Sequence, residues 1–352
     1  MITKELFGKK PCGCEVYAYT LTNKAGASVQ ILTMGGIIRK LNMPDREGNI
    51  ADVVCGFDSV ENYLADTSYQ GAIIGRYGNR IANGRFTLNG ITYQLAINDG
   101  EKNHLHGGIE GFNVKIWDAE PFENVGEQGV ILSLVSEDCE ENYPGTLTVH
   151  VTYTLTDSNE LKIRYEATCD KDTIINMTNH TYFNLGGFDS GSVADQYLYI
   201  NADHFTEISD ILIPTGKTPM VYGTPFDFRA AKPIGKDIDA DNEQIKYCTG
   251  YNHNFILNDH DGSIKKQAEM YDAKSGRVMS VYTDQPGLQF YSGNDLNGAT
   301  PMKGGMKQAA RMAISLETQH APDSPNHESW PSTKLRVGEK YDTTTVYAFS
   351  VR

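Results

Sequence analysis

Residues 145–169 constrain the fold of this chain more than any other stretch. Leu147, Val149, Val151, Tyr153 and Leu155 alternate with Thr146, Thr148, His150, Thr152, Thr154 and Thr156. After Asp157-Ser158-Asn159-Glu160, the same alternation resumes with Leu161, Ile163, Tyr165, Ala167 and Cys169 against Lys162, Arg164, Glu166 and Thr168. A period of two puts one set of side chains on each face of an extended strand. The pattern therefore predicts an antiparallel hairpin with an apolar face on a core and a polar face carrying His150. Such a hairpin needs partners. Short runs of the same character supply them at Ala27–Leu32, Arg85–Leu95, Gly129–Val135, Arg277–Tyr282, Leu288–Tyr291 and Thr344–Val351.

Helical periodicity is weak, and only Asp58–Ala65 suggests a short helix. Many short strands separated by glycine turns, with 34 Gly and 20 Tyr in 352 residues, indicate an all-β sandwich or barrel. No repeat or low-complexity linker divides the chain, so residues 1–352 are expected to form a single large antiparallel domain. Sandwiches carry ligands on a concave sheet face or in end loops.

Charge narrows the partners. The net charge of −14 leaves no basic surface to neutralise phosphates, which argues against nucleic acid. No apolar run approaches the length of a membrane span, and the start lacks the apolar core of a signal peptide, so a cytoplasmic protein is expected. Of the 6 cysteines, only Cys12 and Cys14 are close in sequence. That is too sparse for a disulfide scaffold or a four-cysteine zinc site, and free thiols are expected.

Four polar clusters carry chemistry. Gly75-Arg76-Tyr77-Gly78-Asn79-Arg80-Ile81 presents Asn79 and Arg80, whose planar donors suit adjacent hydroxyls. In Asn98–Gly108, His104 and His106 would share a face if extended. With Glu110 they have the spacing of half a cupin metal site, but lack its flanking glycines. Thr178-Asn179-His180-Thr181-Tyr182-Phe183-Asn184-Leu185-Gly186-Gly187 sets a histidine among hydrogen-bonding and aromatic neighbours able to orient it and stack on a ring. In Ser315–Asp323, Glu317 follows Met312-Ala313-Ile314 at the expected end of a strand, where a pocket carboxylate would serve as a general base. A phosphate-binding loop, a zinc-protease helix and a nucleophile elbow are all missing.

In this order, the clusters resemble the aldose 1-epimerase (galactose mutarotase) family. The resemblance rests on Gly75–Ala82, Leu105–Gly108, Thr178–Gly187, Gly250–Phe255, Gln285–Gly287 with Gln289–Tyr291, and Leu316–Gln319 with Pro322-Asp323. It implies a β-sandwich of the galactose mutarotase type, interconversion of the α and β anomers of free hexoses such as galactose and glucose, and no metal or organic cofactor. It further implies Glu317 as general base, His180 as general acid and His106 as a second histidine near the ring oxygen. Asn79, Arg80, Tyr182, Asn252 and Gln289 would hold the sugar. Where the family usually has aspartate, this chain has Asn252, which can accept a hydrogen bond only without charge. The partner implied is a small sugar, with the protein a monomer or homodimer.

The chemistry matches these residue types. Mutarotation removes a proton from the anomeric hydroxyl while the ring oxygen gains one, so a base and an acid must face one substrate. Reference values of ~4.3 for glutamate and ~6.5 for histidine suit those roles. The imidazole should be partly protonated, favoured by a nearby carboxylate. Three other readings compete: a non-catalytic sugar binder, the cupin-like metal site, and an epimerase of phosphorylated or otherwise modified sugars, for which Arg76, Arg80 and Arg85 could supply a phosphate pocket. Glycoside hydrolysis ordinarily needs two carboxylates, and only Glu317 has a persuasive setting.

Overall fold

A computed structural model describes residues 1–352. The alternating hairpin forms as expected: Leu147–Thr156 pairs antiparallel with Glu160–Cys169, and Leu147, Val149, Val151, Tyr153 and Leu155 are fully buried. His150 lies exposed on the polar face, its Nδ1 2.8 Å from the Ser133 hydroxyl. This hairpin sits within a nine-stranded sheet. The spatial order is Asp118–Asn124, Glu127–Ser136, Leu147–Thr156, Glu160–Cys169, Tyr341–Val351, Arg277–Thr283, Lys265–Tyr271, Tyr197–Ile200 and Lys232–Pro233.

Two five-stranded antiparallel sheets complete the framework. One is an N-terminal meander of Ile2–Lys9, Glu15–Thr22, Ser28–Leu32, Ile38–Pro44 and Ile50–Asp52. The other has the order Tyr182–Phe183, Ile314–Gln319, Gly287–Tyr291, Asn252–Ile256 and His204–Phe205. A shared core of 55 buried residues draws on all three sheets, from Tyr19 to Phe349. Hydroxyls tie the layers as well: Tyr153 donates to the Gly36 carbonyl at 2.7 Å and Tyr347 to that of Leu316 at 3.0 Å. The architecture is thus a large antiparallel β-sandwich.

The second five-stranded sheet positions the site through its period of two. Ile314, Leu316, Leu288, Phe290 and Phe255 join the core. In register across the strands, Asn252 faces Tyr291, Asn254 faces Gln289 and Gln289 faces Glu317. The face opposite the core therefore carries Asn252, Asn254, Gln289, Tyr291, Ser315, Glu317 and Gln319. That face is polar, yet loops cover it: Glu317 is only 1 % exposed.

Helix is scarce, as the sequence suggests. Val60–Ala65 forms the expected short helix, started by the Ser59 hydroxyl accepting from the Asn62 amide. A second turn of helix, Glu243–Cys248, escaped the periodicity because six residues show too little of a repeat. Its start is nonetheless marked by Asn242, whose side chain accepts from the amides of Gln244 and Ile245.

Candidate active site

The covered polar face opens into a cavity of about 180 Å³. Its lining includes Asn79, Arg80, His106, His180, Tyr182, Asn252 and Glu317, drawn from clusters more than two hundred residues apart in sequence. Thr67, Ser68, Tyr69, Tyr291 and Asp295 complete most of the wall.

Glu317 sits in mid-strand within Ile314–Gln319, not at a strand end as expected from the sequence. The run Met312-Ala313-Ile314 only begins the strand, and all six strand residues are buried. Buried groups without a hydrogen-bond partner concentrate on this face: His180 Nδ1, Asn254 Oδ1, Gln289 Oε1, Ser315 Oγ, Glu317 Oε2 and both polar atoms of the Gln319 amide. Interior polar atoms are normally satisfied, so this concentration marks a surface built to meet a polar molecule.

His180 is carried in by the short strand Thr178–Asn179, which pairs with Ile73–Ile74. Its amide donates to the Ala72 carbonyl at 2.9 Å, and its carbonyl accepts from Gly71 at 3.0 Å. The neighbouring asparagines serve the backbone rather than the cavity: Asn179 caps the Gly71 carbonyl, and Asn184 donates to the carbonyls of Gly191 and Met312. The His180 ring lies among Tyr182, His106, Tyr69 and Tyr291, with centroid separations of 5.0, 5.2, 6.1 and 6.5 Å.

His180 Nε2 stands 3.5 Å from Glu317 Oε1. The sequence led to the expectation of a partly charged imidazole beside a carboxylate. Burial overrides it, lowering His180 to about 4 and raising Glu317 to about 8, a rise opposed first by the Ser315 hydroxyl and then by Arg80. Desolvation of two charges here exceeds what their proximity returns. At neutral pH the pair accordingly holds one proton, and it rests in its uncharged form.

His106 occupies the turn Leu105-His106-Gly107-Gly108 with φ of 51°. Gly107 follows with φ of +87°, and a Cβ there would lie 1.8 Å from the Gly75 carbonyl oxygen, so only glycine allows the turn to press against that segment. The Asn79 amide donates to His106 Nδ1 at 3.1 Å. In the neutral ring this leaves the proton on Nε2, making that atom a donor. Burial, then the neighbouring His180, keeps His106 well below its ordinary value.

Arg80 is gripped by Asp99, Nε to Oδ2 at 2.8 Å and Nη2 to Oδ1 at 3.2 Å. This two-point clamp fixes the guanidinium plane and leaves Nη1 uncommitted. Asp99 was not foreseen as functional, although it lies in the Asn98–Gly108 cluster; no local pattern announces a partner nineteen residues away. Asn79 has φ of 62°, and its side-chain oxygen accepts from the Arg80 amide.

Gln289, in register with Glu317, donates to Asn252 Oδ1 at 2.7 Å, while its own Oε1 has no partner. Asn252 was expected to act as an uncharged acceptor; its oxygen is engaged by Gln289, and its amide nitrogen is the remaining donor.

Two sequence alternatives fail on geometry. His104 turns away from the cavity, with Nε2 2.6 Å from the Tyr143 hydroxyl and Nδ1 2.8 Å from the Ala96 carbonyl. Glu110 is exposed near Lys115. The His104–His106–Glu110 metal set is therefore not assembled, because the left-handed turn at His106 breaks the extended geometry it required. Arg76 is buried and spends its guanidinium on Ser136, Pro144 and Glu137 oxygens, so it cannot join Arg80 and Arg85 around a phosphate.

A covered polar sheet face presenting an imidazole and a carboxyl group within a wall of hydrogen-bonding side chains defines a class: a β-sandwich site whose geometry suits proton transfer on a small polar molecule. The comparisons make it specific. The Aldose 1-epimerase family profile matches residues 17–348. The chain is 43% identical over 352 residues to galactose mutarotase of Bos taurus, covering 99% of each, and 40% identical over 341 residues to aldose 1-epimerase of Escherichia coli (strain K12), covering 96% of each. Among solved structures it is similar to galactose 1-epimerase from Lactobacillus acidophilus, with a TM-score of 0.87, 30% identity and coverage of 100% of this chain and 99% of that one. An aldose epimerase homologue from C. elegans gives a TM-score of 0.86 at 31% identity, covering 94% and 98%. The chain belongs to the aldose 1-epimerase family. Membership supports isomerase activity of the mutarotase kind on hexoses.

Proposed function

We propose that this protein is a cofactor-independent aldose 1-epimerase that interconverts the α and β anomers of free hexoses such as galactose and glucose. One observation carries the reading: an imidazole and a carboxyl group 3.5 Å apart, sharing one proton, in a cavity lined by hydrogen-bonding side chains.

As the sugar binds, the shared proton passes from Glu317 to His180, 3.5 Å away; the carboxylate so formed takes the proton from the anomeric hydroxyl, and the ring C1–O5 bond breaks as the imidazolium delivers its proton to O5. Rotation about C1–C2 turns the other face of the aldehyde to the site. Reclosure runs the same transfers backward, returning the pair to its starting state. The Nε2–H of His106 supports the ring oxygen as it gains charge. Arg80, Asn79, Tyr182 and Asn252 hold the remaining hydroxyls, with Gln289 steadying Asn252, so that C1 and O5 stay within reach of both transfer groups. One domain, residues 1–352, supplies every group, so the proposal holds for a monomer and a homodimer alike.

Charge favours neutral sugars over phosphorylated ones. Arg80 is the one arginine in the wall and is neutralised by Asp99, while Asp295 lines the same cavity. A passive sugar binder, in turn, has no use for a matched acid and base.

Polarimetry or anomer-exchange NMR starting from pure α-glucose and α-galactose tests the proposal. Equilibration should exceed the spontaneous rate in proportion to protein concentration. His180→Asn and Glu317→Gln should each lower turnover by roughly 10²–10⁴. A wild-type protein that leaves the spontaneous rate unchanged is a binder, and the proposal fails.

A further inference from the structure

The hairpin joining Ile2–Lys9 to Glu15–Thr22 carries the sequence Lys10-Pro11-Cys12-Gly13-Cys14 at its tip. Two backbone bonds close the tip: the Gly13 amide donates to the Lys10 carbonyl at 2.8 Å, and the Lys10 amide to the Cys14 carbonyl at 2.9 Å. Gly13 has φ of +87°, and a Cβ on it would meet nothing within 4 Å. Glycine here serves the bend, not packing. The bend brings the two thiols together on solvent: Cys12 Sγ and Cys14 Sγ are 2.8 Å apart, and both residues are exposed.

No other pair of cysteines is arranged this way. Cys55, Cys169 and Cys248 are buried, and Cys139 is exposed without a thiol partner. Exposed cysteines are normally few in a soluble protein because they react. Neither thiol contributes to the sugar cavity, so the mutarotase reading does not account for them. The sulfur contact also matters chemically. The adjacent Cys14, through its thiol and then its backbone amide, holds Cys12 below the ordinary thiol value, with the Lys10 ammonium adding less, while Cys14 is raised. That is the asymmetry of an attacking and a resolving thiol.

We propose that Cys12 and Cys14 form a thiol–disulfide exchange site for low-molecular-weight disulfides, with Cys12 the attacking sulfur and Cys14 the resolving one. The Cys12 thiolate attacks one sulfur of a small disulfide. The S–S bond breaks, and one half leaves as a thiolate that takes up a proton. Cys14 loses its proton and attacks the Cys12 sulfur, displacing the second half as a thiol. Two protein thiols thereby become one disulfide, and two electrons and two protons pass to the small disulfide, which becomes two thiols. Separation by a single residue makes the second step intramolecular and fast compared with any bimolecular reaction at the same sulfur.

Cys139 provides an internal reference, since a mixed disulfide formed there has no neighbouring thiol to resolve it. The native full-length protein is treated with graded oxidised glutathione, quenched with a maleimide and mapped by peptide mass spectrometry. The tip peptide should lose two hydrogens with no adduct, at oxidant levels where Cys139 has gained one glutathione, and dithiothreitol should reverse both. Cys14→Ser should leave one glutathione trapped on Cys12. The Cys12→Ser/Cys14→Ser variant should keep the wild-type anomer-exchange rate, which shows that the fold survives. Glutathione adducts accumulating on the wild-type tip as they do on Cys139 would overturn the proposal. So would a tip that stays reduced after Cys139 has reacted.

Discussion

The protonation of the His180–Glu317 pair determines how turnover should depend on pH. With His180 lowered to about 4 and Glu317 raised to about 8, the pair binds two protons below the first value, one between them and none above the second. Ring opening needs one group able to accept and one able to donate, so only the singly protonated pair is competent. kcat/KM should rise through about 4, stay level across neutrality and fall through about 8. At pH 7 Glu317 is mostly protonated. The opposite shifts also disfavour the form with charged imidazole and carboxylate. Sugar hydroxyls donating to Glu317, with Arg80 nearby, offset part of that difference on binding. The assay is anomer exchange from pH 3.5 to 9.5, with the rate in buffer alone subtracted at each point, since acid and base both drive the spontaneous reaction. An acid limb near the ordinary histidine value of 6.5, or undiminished kcat/KM well above pH 8, would refute the claim that burial governs this pair.

Other outcomes follow from the clamp, the turn and the donor set. Asp99→Ala frees the Arg80 guanidinium, so kcat/KM should fall roughly tenfold through misorientation. Placed on an Arg80→Ala background it should cost nothing more, and equal losses in both backgrounds would show that Asp99 acts only on the fold. Gly107→Ala forces a Cβ against the Gly75 carbonyl oxygen 1.8 Å away and should lower both Tm and turnover as His106 is displaced; an unaltered melting curve would contradict the close approach. His106, His180 and Glu317 bring ligand atoms within 4.8 Å of one another, a donor set that zinc accepts. Proton transfer alone should nevertheless leave turnover intact after dialysis against a chelator, and a loss restored by one divalent metal would replace the acid–base account.

The sandwich was legible wherever one face of a strand meets the core and the other meets water, as in Leu147–Thr156 and Glu160–Cys169. It was harder to read in Ile314–Gln319, because loops bury the polar face too and the position of Glu317 then resembles a strand end. The cavity residues stood out as polar types beside glycine turns, which is why Asn79, Arg80, His106 and His180 were found. Asp99, Tyr69 and Asp295 were not: the first acts through another residue, and the others reach the cavity from loops whose course no periodicity encodes. The role of Gln289 depended on register. Only the pairing Asn252–Tyr291 and Asn254–Gln289 brings its amide within reach of Asn252. The charge state of His180 was misjudged because sequence reveals a neighbour's charge but not the depth at which both groups lie.

Glu317 is held by a strand hydrogen-bonded on both sides, whereas Thr67–Tyr69 and Asp295 reach the same hollow from irregular backbone. The reactive atom and the rim thus rest on supports of different stiffness. Rim substitutions can retune which hexose is admitted without moving the carboxyl group, so diversification of sugar preference in such a scaffold should proceed through its loops while the proton-transfer apparatus stays fixed.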